Sequence, residues 1–377
     1  MNSHEESSIV IAKDLDANHT YIQKAFHFSE DVKKREFLFH NRKGICLFLE
    51  TLIDDEKLDK LFLGNLHFDA GEIKAYIDAS EIIEVQDLAK LPSEMHQGKV
   101  AVFLEGEQQA YVFDVRKEME RSIGEPENEK IVRGSHDGFV EGLQTNLYLI
   151  RKRVNNPNLV IKYHTLGTET KTKLAIVYLN HIAKPDIVKS VEDKIQSISS
   201  DMIFSPGYIE EYLEDDTFSP FPQMLNTERP DRVMANLLDG RIAIFSDGDP
   251  TALICPISFF SFYQSPDDYN SRFFVGSFYR ILRMVSFLIA IFVPAIYIAT
   301  ISFHFEVIPA DLVLPVKSSV ERIPYPPIIE AILMELTIEL IREAGIRLPI
   351  QLDKRSVLLV VWLLEMLLFR QGSCLIL

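Results

Sequence analysis

The chain contains 377 residues, 47% of them hydrophobic, and its 55 acidic and 39 basic residues give a formal net charge of −16. A surface that binds phosphates must be positive, so this charge argues against a nucleic-acid partner, whereas the length allows two or three domains. Three scattered cysteines without a CxxC pair, Cys46, Cys255 and Cys374, argue against a disulfide framework and a structural zinc site.

The N-terminal part of the chain alternates predicted strands and helices. An apolar run at 45–49 predicts a strand, and we expect helices near 55–63 and 72–77. Residues 171–179 predict another strand, and 185–198 predict a helix because proline suits a first helical turn. From this alternation we predict an α/β fold whose sheet is mixed or parallel and covered by helices.

Two stretches 142 residues apart resemble each other, GKVAVFLEGEQQAYVFDV at 98–115 and GRIAIFSDGDPTALICPI at 240–257. In each, two β-rich runs flank an acidic turn that contains glycine, which predicts a β-hairpin. We infer two related α/β subdomains, residues 1–120 and 121–270, with chance similarity between two hairpins as the alternative. The identical pairs are Gly98 and Gly240, Ala101 and Ala243, Phe103 and Phe245, Gly106 and Gly248, and Ala110 and Ala252.

A run of twenty residues without a charge, Met284 to Phe303, is long enough to cross a bilayer as a helix. Its eleven Leu, Ile, Phe and Val residues favour insertion by about 3 to 6 kcal/mol. The alternative is a buried core helix, but such helices seldom lack a polar stripe over this length. The chain begins without a basic, then apolar, leader, so we expect no secretory signal peptide. Because the basic flank stays in the cytoplasm, we predict a cytosolic N-terminal region, with the topology set by Arg272, Arg280 and Arg283.

Residues 271–349 are predicted to begin a transmembrane helical domain. Prolines at 309, 315, 324, 326 and 327 exclude one long helix after the first crossing, and Ile328–Ala344 predicts an amphipathic helix. If that helix lies within a membrane assembly, its carboxylates face water or a pathway, and if it lies at the interface they face solvent. The candidate gating or pathway residues are Glu330, Glu335 and Glu339; Glu343 is omitted because Arg342 and Arg347 are expected to pair with it.

The sequence contains no GxxxxGK[ST], GxGxxG or HExxH motif. Asp247 and Asp249 are candidate cation ligands for a membrane-tethered metal-dependent enzyme, although a DG pair between two strands is first of all a turn. His136 and Asp137 form a conceivable base with its orienting carboxylate, but no nucleophile stands nearby, which favours a loop or helix-cap role. We therefore expect no catalytic residue, no cofactor and no metal site, and the sequence identifies no ligand-binding residue.

Charged residues of both signs gather in one stretch of about thirty residues. Because arginine binds carboxylate through two parallel hydrogen bonds, the stretch suits an interface between the subdomains, with a solvated surface as the alternative. The candidate interface residues are Arg121, Glu125, Arg133, Glu141 and Arg151.

Several strings together resemble the A subunit of GerA-type spore germinant receptors. They extend from about residue 30 to Pro349, and TERPD with REAGIRLP is a highly specific combination. At 134–141 this chain has GSHDGFVE where the family often has GPREGFTE. The resembling strings are EPENEKIVRGSHDGFVEGLQTNLYLIRKR at 125–153, SPFPQ at 219–223, TERPD at 227–231, GRIAIFSDGDP at 240–250, DDYNSRF at 267–273 and ERIPYPPIIEAILMELTIELIREAGIRLP at 321–349.

The resemblance implies a non-catalytic receptor subunit in the inner membrane of a bacterial spore, through which nutrients trigger germination. It implies a two-part cytosolic region, several membrane crossings and a homo-oligomer that forms an ion conduit in the lipid. The implied partners are a transporter-like B subunit, to which nutrient recognition is mainly assigned, and a lipoprotein C subunit.

Residues 350–377 depart from the family's pattern. In the family the sequence continues close to GQAVSIVGGLVIGD. A coding sequence for LGQAVSIVGGLVIGD can be written so that translation in a reading frame shifted by one nucleotide gives LDKRSVLLVVWLLEM, which matches residues 352–366 of this chain. We therefore expect a frameshift near residue 350, so that the apolar stretch 357–369 is accidental and the product is a truncated receptor. Two further hypotheses stay open: a receptor fragment without function, and a soluble interaction protein whose apolar tail is buried.

Overall fold

The computed structural model describes residues 9–39, 42–63, 82–117, 126, 129, 134–203, 205–216, 218–219, 221–265, 267–268, 271–320 and 325–347. They belong to two compact units, Met1–Gly276 and Ser277–Leu377. The predicted helix at 72–77 and the predicted frameshifted tail, 350–377, lie outside the described residues.

The first half of the first unit contains a five-stranded antiparallel sheet in the order β1-β2-β4-β5-β3. The predicted strand at 45–49 lies in β2, and the predicted helix at 55–63 is present with the same bounds. The elements are α1 (Leu15–Ala25), β1 (Val32–Phe39), β2 (Arg42–Leu49), α2 (Asp55–Leu63), β3 (Ile82–Val85), α3 (Leu91–His96), β4 (Lys99–Leu104) and β5 (Ala110–Asp114).

The second half repeats this topology in a sheet of order β6-β7-β9-β10-β8. The strand expected at 171–179 and the helix expected at 185–198 are both confirmed. The elements are α4 (Leu143–Arg153), β6 (Leu159–Leu166), β7 (Thr172–Leu179), α5 (Pro185–Ser197), α6 (Pro206–Leu213), β8 (Leu225–Thr227), α7 (Pro230–Leu238), β9 (Ile242–Ser246) and β10 (Ala252–Cys255), followed by a 3₁₀ helix, Phe259–Tyr263.

The two predicted hairpins are β4–β5 and β9–β10, and they are equivalent residue by residue. Phe103 pairs with Ala110 in the first, and Phe245 pairs with Ala252 in the second. The equivalent turn glycines, Gly106 and Gly248, have φ of 86° and 85°. The same strand order around the same hairpin confirms the prediction of two related subdomains.

The predicted mixed or parallel sheet is wrong, because every strand pair of both sheets among the described residues is antiparallel. Hairpins join β1 to β2 and β4 to β5, and each hairpin reverses the chain. The helices α2 and α3 lie in the connection from β2 to β4, which also contains the edge strand β3. A helix between two strands produces a parallel pair only when it returns the chain to the same end of the sheet.

One hydrophobic core joins the two subdomains. It takes Leu47 and Phe103 from the first sheet, Ile161 and Phe245 from the second, and Leu147 from α4, and all of these side chains are buried. Each sheet also buries its opposite face, the first in a cluster that includes Leu58 of α2 and the second in a cluster with residues of α5 and α6. Because the central core takes residues from both sheets, neither subdomain completes it alone.

The C-terminal region is helical: α8 (Phe273–Phe303), α9 (Ala310–Val320) and α10 (Pro327–Arg347). α8 has 31 residues and begins eleven residues before the predicted apolar run. It is the one helix among the described residues that is long and apolar enough to cross a membrane. Its apolar side chains are mostly exposed, for example Ile289 at 53% and Ile296 at 61%, which argues against the alternative of a buried core helix. The helix predicted at Ile328–Ala344 is present as α10. Its large apolar residues are distributed around the whole helix and not on one face, so the predicted amphipathic pattern is wrong.

Candidate functional site

A buried ion pair connects the two subdomains. Arg151, in the last turn of α4, donates through Nη2 to a carboxylate oxygen of Asp31 at 2.6 Å, and both side chains are fully buried. Asp31 also accepts hydrogen bonds from the hydroxyls of Ser29 (2.6 Å) and Thr51 (3.1 Å), and Arg151 Nη1 donates to the Leu159 carbonyl at 2.9 Å. These bonds compensate much of the cost of removing both charges from water.

The segment before Asp31 extends this contact along the edge of the second sheet. The Glu30 amide donates to the Ile161 carbonyl at 2.9 Å, and the Ile161 amide donates to the Ser29 hydroxyl at 2.8 Å. The Tyr163 amide donates to the Glu30 carboxylate at 2.8 Å. One edge of β6 pairs with β7, and its other edge is therefore hydrogen-bonded to residues of the first subdomain.

The structure places the five predicted interface residues differently. Arg151 lies between the subdomains, with Asp31 as its partner. Glu141 is exposed just before α4, where its backbone carbonyl accepts a hydrogen bond from Gly248 at 2.8 Å. Arg121, Glu125 and Arg133 lie outside the described residues. The sequence analysis did not identify Asp31. An acidic residue directly before a strand usually lies in a solvated loop, so nothing in the local sequence indicated that Asp31 is buried.

The TERPD string forms a second buried polar network, at the start of α7. Arg229 is fully buried and donates through Nε and Nη2 to both carboxylate oxygens of Asp231, at 3.0 and 2.7 Å. It also donates to the backbone carbonyls of Glu129 (3.1 Å) and Ser135 (2.8 Å). The Glu129 carboxylate accepts from Thr227 and from Arg232. These bonds hold the approach to the second subdomain against α7, a role that the sequence did not reveal.

The carboxylates of the DGD turn are already engaged in hydrogen bonds. Asp247 accepts from the backbone amide of Leu143 at 3.2 Å and so caps the N-terminus of α4, whose own N-cap residue is glycine. Asp249 accepts from the amide and the hydroxyl of Thr251, at 2.9 and 2.6 Å. Within the described part of the chain, no group of three or more His, Cys, Asp or Glu residues is arranged to hold a metal ion. The geometry is that of a β-turn, and nothing in it favours the metal-dependent enzyme.

Asp137 is bound by an arginine. Arg153 donates from one nitrogen to the Asp137 carboxylate at 2.5 Å and to the Ser135 hydroxyl at 2.8 Å. His136 and Asp137 lie in the segment just before α4, and this arginine contact fits the loop role that the sequence favoured.

Aromatic and basic side chains surround the start of α8. Phe273 and Phe274 are 79% and 83% exposed, and Arg272 directly before them is exposed as well. Arg283 donates through Nε to the Tyr279 carbonyl at 3.3 Å. Arg280 and Arg283 are half-buried, so all three predicted topology-setting arginines lie at or near one end of the apolar helix.

Three glutamates of α10, Glu335, Glu339 and Glu343, recur every four residues and form a stripe along one side of that helix. Glu330 lies on the other side of the helix, because five residues turn an α-helix by about 500°. Glu335 and Glu339 are exposed and Glu330 is half-buried. Arg342 pairs with Glu339, since helical neighbours three residues apart face each other. With 3.6 residues per turn, apolar side chains flank the stripe on both sides, among them Ile338 and Leu340.

Comparisons with known proteins place these features among spore germination proteins. Residues 20–356 match the family described as Bacillus/Clostridium GerA spore germination protein. Spore germination protein A1 of Bacillus subtilis is 38% identical over 84% of this chain, and spore germination protein B1 of the same organism is 36% identical over 90%. The uncharacterized membrane protein YfkQ of that organism is 36% identical over 85%.

The fold is also similar to that of a solved domain. The crystal structure of the N-terminal domain of the A subunit of the Bacillus megaterium spore germinant receptor GerK3 matches with a TM-score of 0.52 and 27% identity. The match covers 67% of this chain and 99% of that domain. The chain spans 64% of the length of YfkQ, 67% of A1 and 72% of B1.

Proposed function

This chain belongs to the Bacillus/Clostridium GerA spore germination protein family, and from that premise we propose that it is a non-catalytic membrane subunit of a nutrient germinant receptor. The observation that carries the proposal is the agreement of two comparisons. Relatives at 36–38% identity are named spore germination proteins, and the fold of the first unit is similar to the A-subunit domain of a germinant receptor.

The proposed position is the inner membrane of the spore, with the first unit in the cytosol and α8 crossing the bilayer. The uncharged part of α8, Met284 to Phe303, has twenty residues, which at 1.5 Å each match the roughly 30 Å hydrocarbon core. Arg272, Arg280 and Arg283 precede this uncharged part, and basic flanks stay in the cytoplasm. The exposed Tyr279, among these arginines, supports this position, because tyrosine is enriched where membrane meets water.

Protease treatment of sealed, right-side-out membrane vesicles tests this orientation. A protease added outside is expected to leave the first unit intact and to digest it only after the vesicles are opened with detergent. Digestion of the first unit in sealed vesicles would reverse the orientation, and the proposed role would be lost with it.

We propose that α10 contributes to an ion pathway in an oligomer of this chain. Glu330, Glu335 and Glu339 are ionisable, and ionisable groups within membrane assemblies face water or a pathway. The apolar residues on both sides of the glutamate stripe support contact with neighbouring helices or lipid on either flank. The proposed partners are the lipid bilayer, further copies of the chain, a transporter-like B subunit and a lipoprotein C subunit.

Charge-neutral replacement tests the pathway. In spores that carry E330Q/E335Q/E339Q, we expect slower release of monovalent cations after nutrient addition, because the variant lacks the charges that would stabilise a passing cation. Glu306→Gln, which removes an exposed carboxylate before α9, is the matched control and is expected to leave release unchanged. Immunoblotting of the membrane fraction verifies equal amounts. Unchanged release from the triple variant would reject the pathway while leaving the receptor role intact.

A further inference from the structure

An apolar cavity of about 400 Å³ lies within the second compact unit, where three helices meet. Its walls come from the end of α8, the end of α9, and the start of α10 with the residue before it. The side chains used below are Ile298, Ile301, Phe303, Lys317 and Ile328. The volume falls within the range of small-molecule sites, about 300 to 1,000 Å³.

Lys317 is the one charged residue among the described residues that line this cavity. Apart from Ser302, every other described lining residue is Ile, Val, Phe or Pro. Lys317 is exposed and forms no ion pair with another described residue. The cavity therefore combines an apolar interior with one uncompensated positive charge at its mouth.

The cavity lies at one boundary of the proposed hydrocarbon core. Phe303 ends the uncharged part of α8, whose twenty residues match the thickness of that core. Ile298 precedes Phe303 by five residues, which places it about 7 to 8 Å deeper along the helix. Polar headgroups begin where the hydrocarbon ends, so at this depth the apolar walls face acyl chains and the lysine faces phosphates.

One side of the cavity is closed by protein, and another side is open. Ile301 is only 5% exposed, whereas Phe303 and Ile328 are 79% and 54% exposed. Water is excluded from the hydrocarbon core, so an apolar surface that opens toward the bilayer is covered by lipid. A lipid is therefore the molecule that this open side is placed to admit.

We propose that this cavity binds one phospholipid with a net negative headgroup. Its acyl chain lies against Ile301 and Phe303, and its phosphate accepts a charge-assisted hydrogen bond from the Lys317 ammonium. A zwitterionic lipid fits less well, because its own cationic group is repelled by Lys317. The inference goes beyond the receptor role and rests on the proposed crossing of the membrane by α8. The bound lipid joins the ends of the three helices that line the cavity.

Quenching of tryptophan fluorescence by brominated lipids tests this site in the full chain. The only tryptophan is Trp362, so W362F provides a background in which Phe303→Trp is a single reporter at the cavity. The chain is reconstituted into nanodiscs of phosphatidylglycerol and phosphatidylcholine, with bromine on the acyl chains of one lipid at a time. From the quenching of F303W we expect an affinity for phosphatidylglycerol about fivefold higher than for phosphatidylcholine, the effect of one lysine near an anionic lipid.

The controls separate a site at Lys317 from general contact with lipid. K317Q is expected to remove the preference for phosphatidylglycerol, and K317R is expected to keep it, because arginine also binds phosphate. Ile289→Trp in the same W362F background is the matched reporter, since Ile289 is 53% exposed and lies in the uncharged part of α8. Both lipids are expected to quench I289W equally.

The lipid site is overturned if F303W shows no preference, if K317Q keeps the preference, or if I289W shows the same preference. It is also overturned if about 10 mM inorganic phosphate abolishes the preference, because a free phosphate is then sufficient for Lys317. Quenching of I289W but not of F303W would show that protein fills the cavity, either residues 348–377 or a further copy of the chain. Absence of quenching at both reporters would overturn the membrane crossing of α8 together with the lipid site.

Discussion

Individual buried residues determine how the two subdomains meet. Asp31 and Arg151 are 120 positions apart and fully buried, and each relies on the other for charge compensation. A complete buried ion pair adds little to the stability of the fold, because removing both charges from water is costly. Removal of one partner, however, leaves an uncompensated charge in the interior. Arg229 differs in one respect, since all three of its nitrogens are hydrogen-bonded, whereas Nε of Arg151 is not.

The single variants Asp31→Asn and Arg151→Met are each expected to destabilise the fold by about 3 to 5 kcal/mol, because each leaves a lone buried charge. The double variant is expected to lose less unfolding free energy than the two single variants lose together, since it removes both charges. Urea unfolding of the three variants, arranged as a double-mutant cycle, measures the coupling.

The exposed pair of Arg35 and Asp59 is the control for that cycle. Both side chains are 46% exposed, and a solvated pair contributes about 0 to 1 kcal/mol. Asp59→Asn is therefore expected to leave the unfolding midpoint nearly unchanged. Additive single variants at Asp31 and Arg151 would show that the two charges do not depend on each other.

The buried cysteines are expected to resist alkylation in the folded chain. Burial raises the pKa of the Cys46 thiol well above its usual range and that of Cys255 to about 12, and the thiolate is the reactive form. In a Cys374→Ser background, a thiol reagent at pH 8 is expected to label neither residue until denaturant is added. Fast labelling of the folded chain would show that one of these strands is accessible.

At the scale of elements, the duplicated hairpins carry the strongest sequence signal. Their glycines at equivalent positions all have positive φ, which favours glycine because side chains make that conformation costly. Their surroundings differ. A Cβ on Gly248 meets nothing within 4 Å, whereas a Cβ on Gly240 lies 3.0 Å from the Ile182 carbonyl oxygen.

Gly248→Ala is expected to lower the free energy of unfolding by about 1 to 2 kcal/mol, because alanine disfavours the positive φ at this position. Gly240→Ala is expected to cost more, because the Ile182 carbonyl must also move. The same order is expected in the first subdomain, with Gly106→Ala milder than Gly98→Ala, whose Cβ would lie 3.2 Å from the Leu52 carbonyl. Unfolding free energies of the four variants test this, and a reversed order in either hairpin would contradict the equivalence of the two subdomains.

Local patterns predicted several elements, because helix and strand formation depend on neighbouring residues. The helix at Asp55–Leu63 and the one that begins at Pro185 follow from periodicity and a proline in the first turn. The short edge strand at Leu225–Thr227 was missed, because three residues carry no periodicity and its pairing with β10 is a long-range contact. Strand direction was predicted wrongly for the same reason, since it depends on which strands become neighbours.

At the scale of the whole molecule, the chain combines an acidic α/β unit with an apolar helix that few residues cover. The first 280 residues contain 46 acidic and 31 basic residues, whereas Met284 to Phe303 contain none of either. This separation of charge from hydrophobicity agrees with membership of a family of germination proteins with membrane-protein relatives.

An alkaline carbonate wash is expected to leave the full chain in the membrane pellet, because α8 is held by the hydrophobic effect and not by charge. Residues 1–268, which end before α8, are expected to appear in the supernatant when expressed alone. The matching domain of GerK3 forms crystals on its own, which supports that truncation. Release of the full chain by the wash would favour the soluble interaction protein with a buried apolar tail.

The sequence by itself determined the apolar helix, the repeated hairpin, the absence of familiar catalytic motifs and the family resemblance. These properties depend on residue type and on spacing over a few turns or strands, which are visible without coordinates. Only the tertiary structure decided that the sheets are antiparallel, that Asp31 meets Arg151 and that Arg229 is buried. Each of these depends on residues distant in the chain becoming neighbours, and local patterns do not specify such contacts.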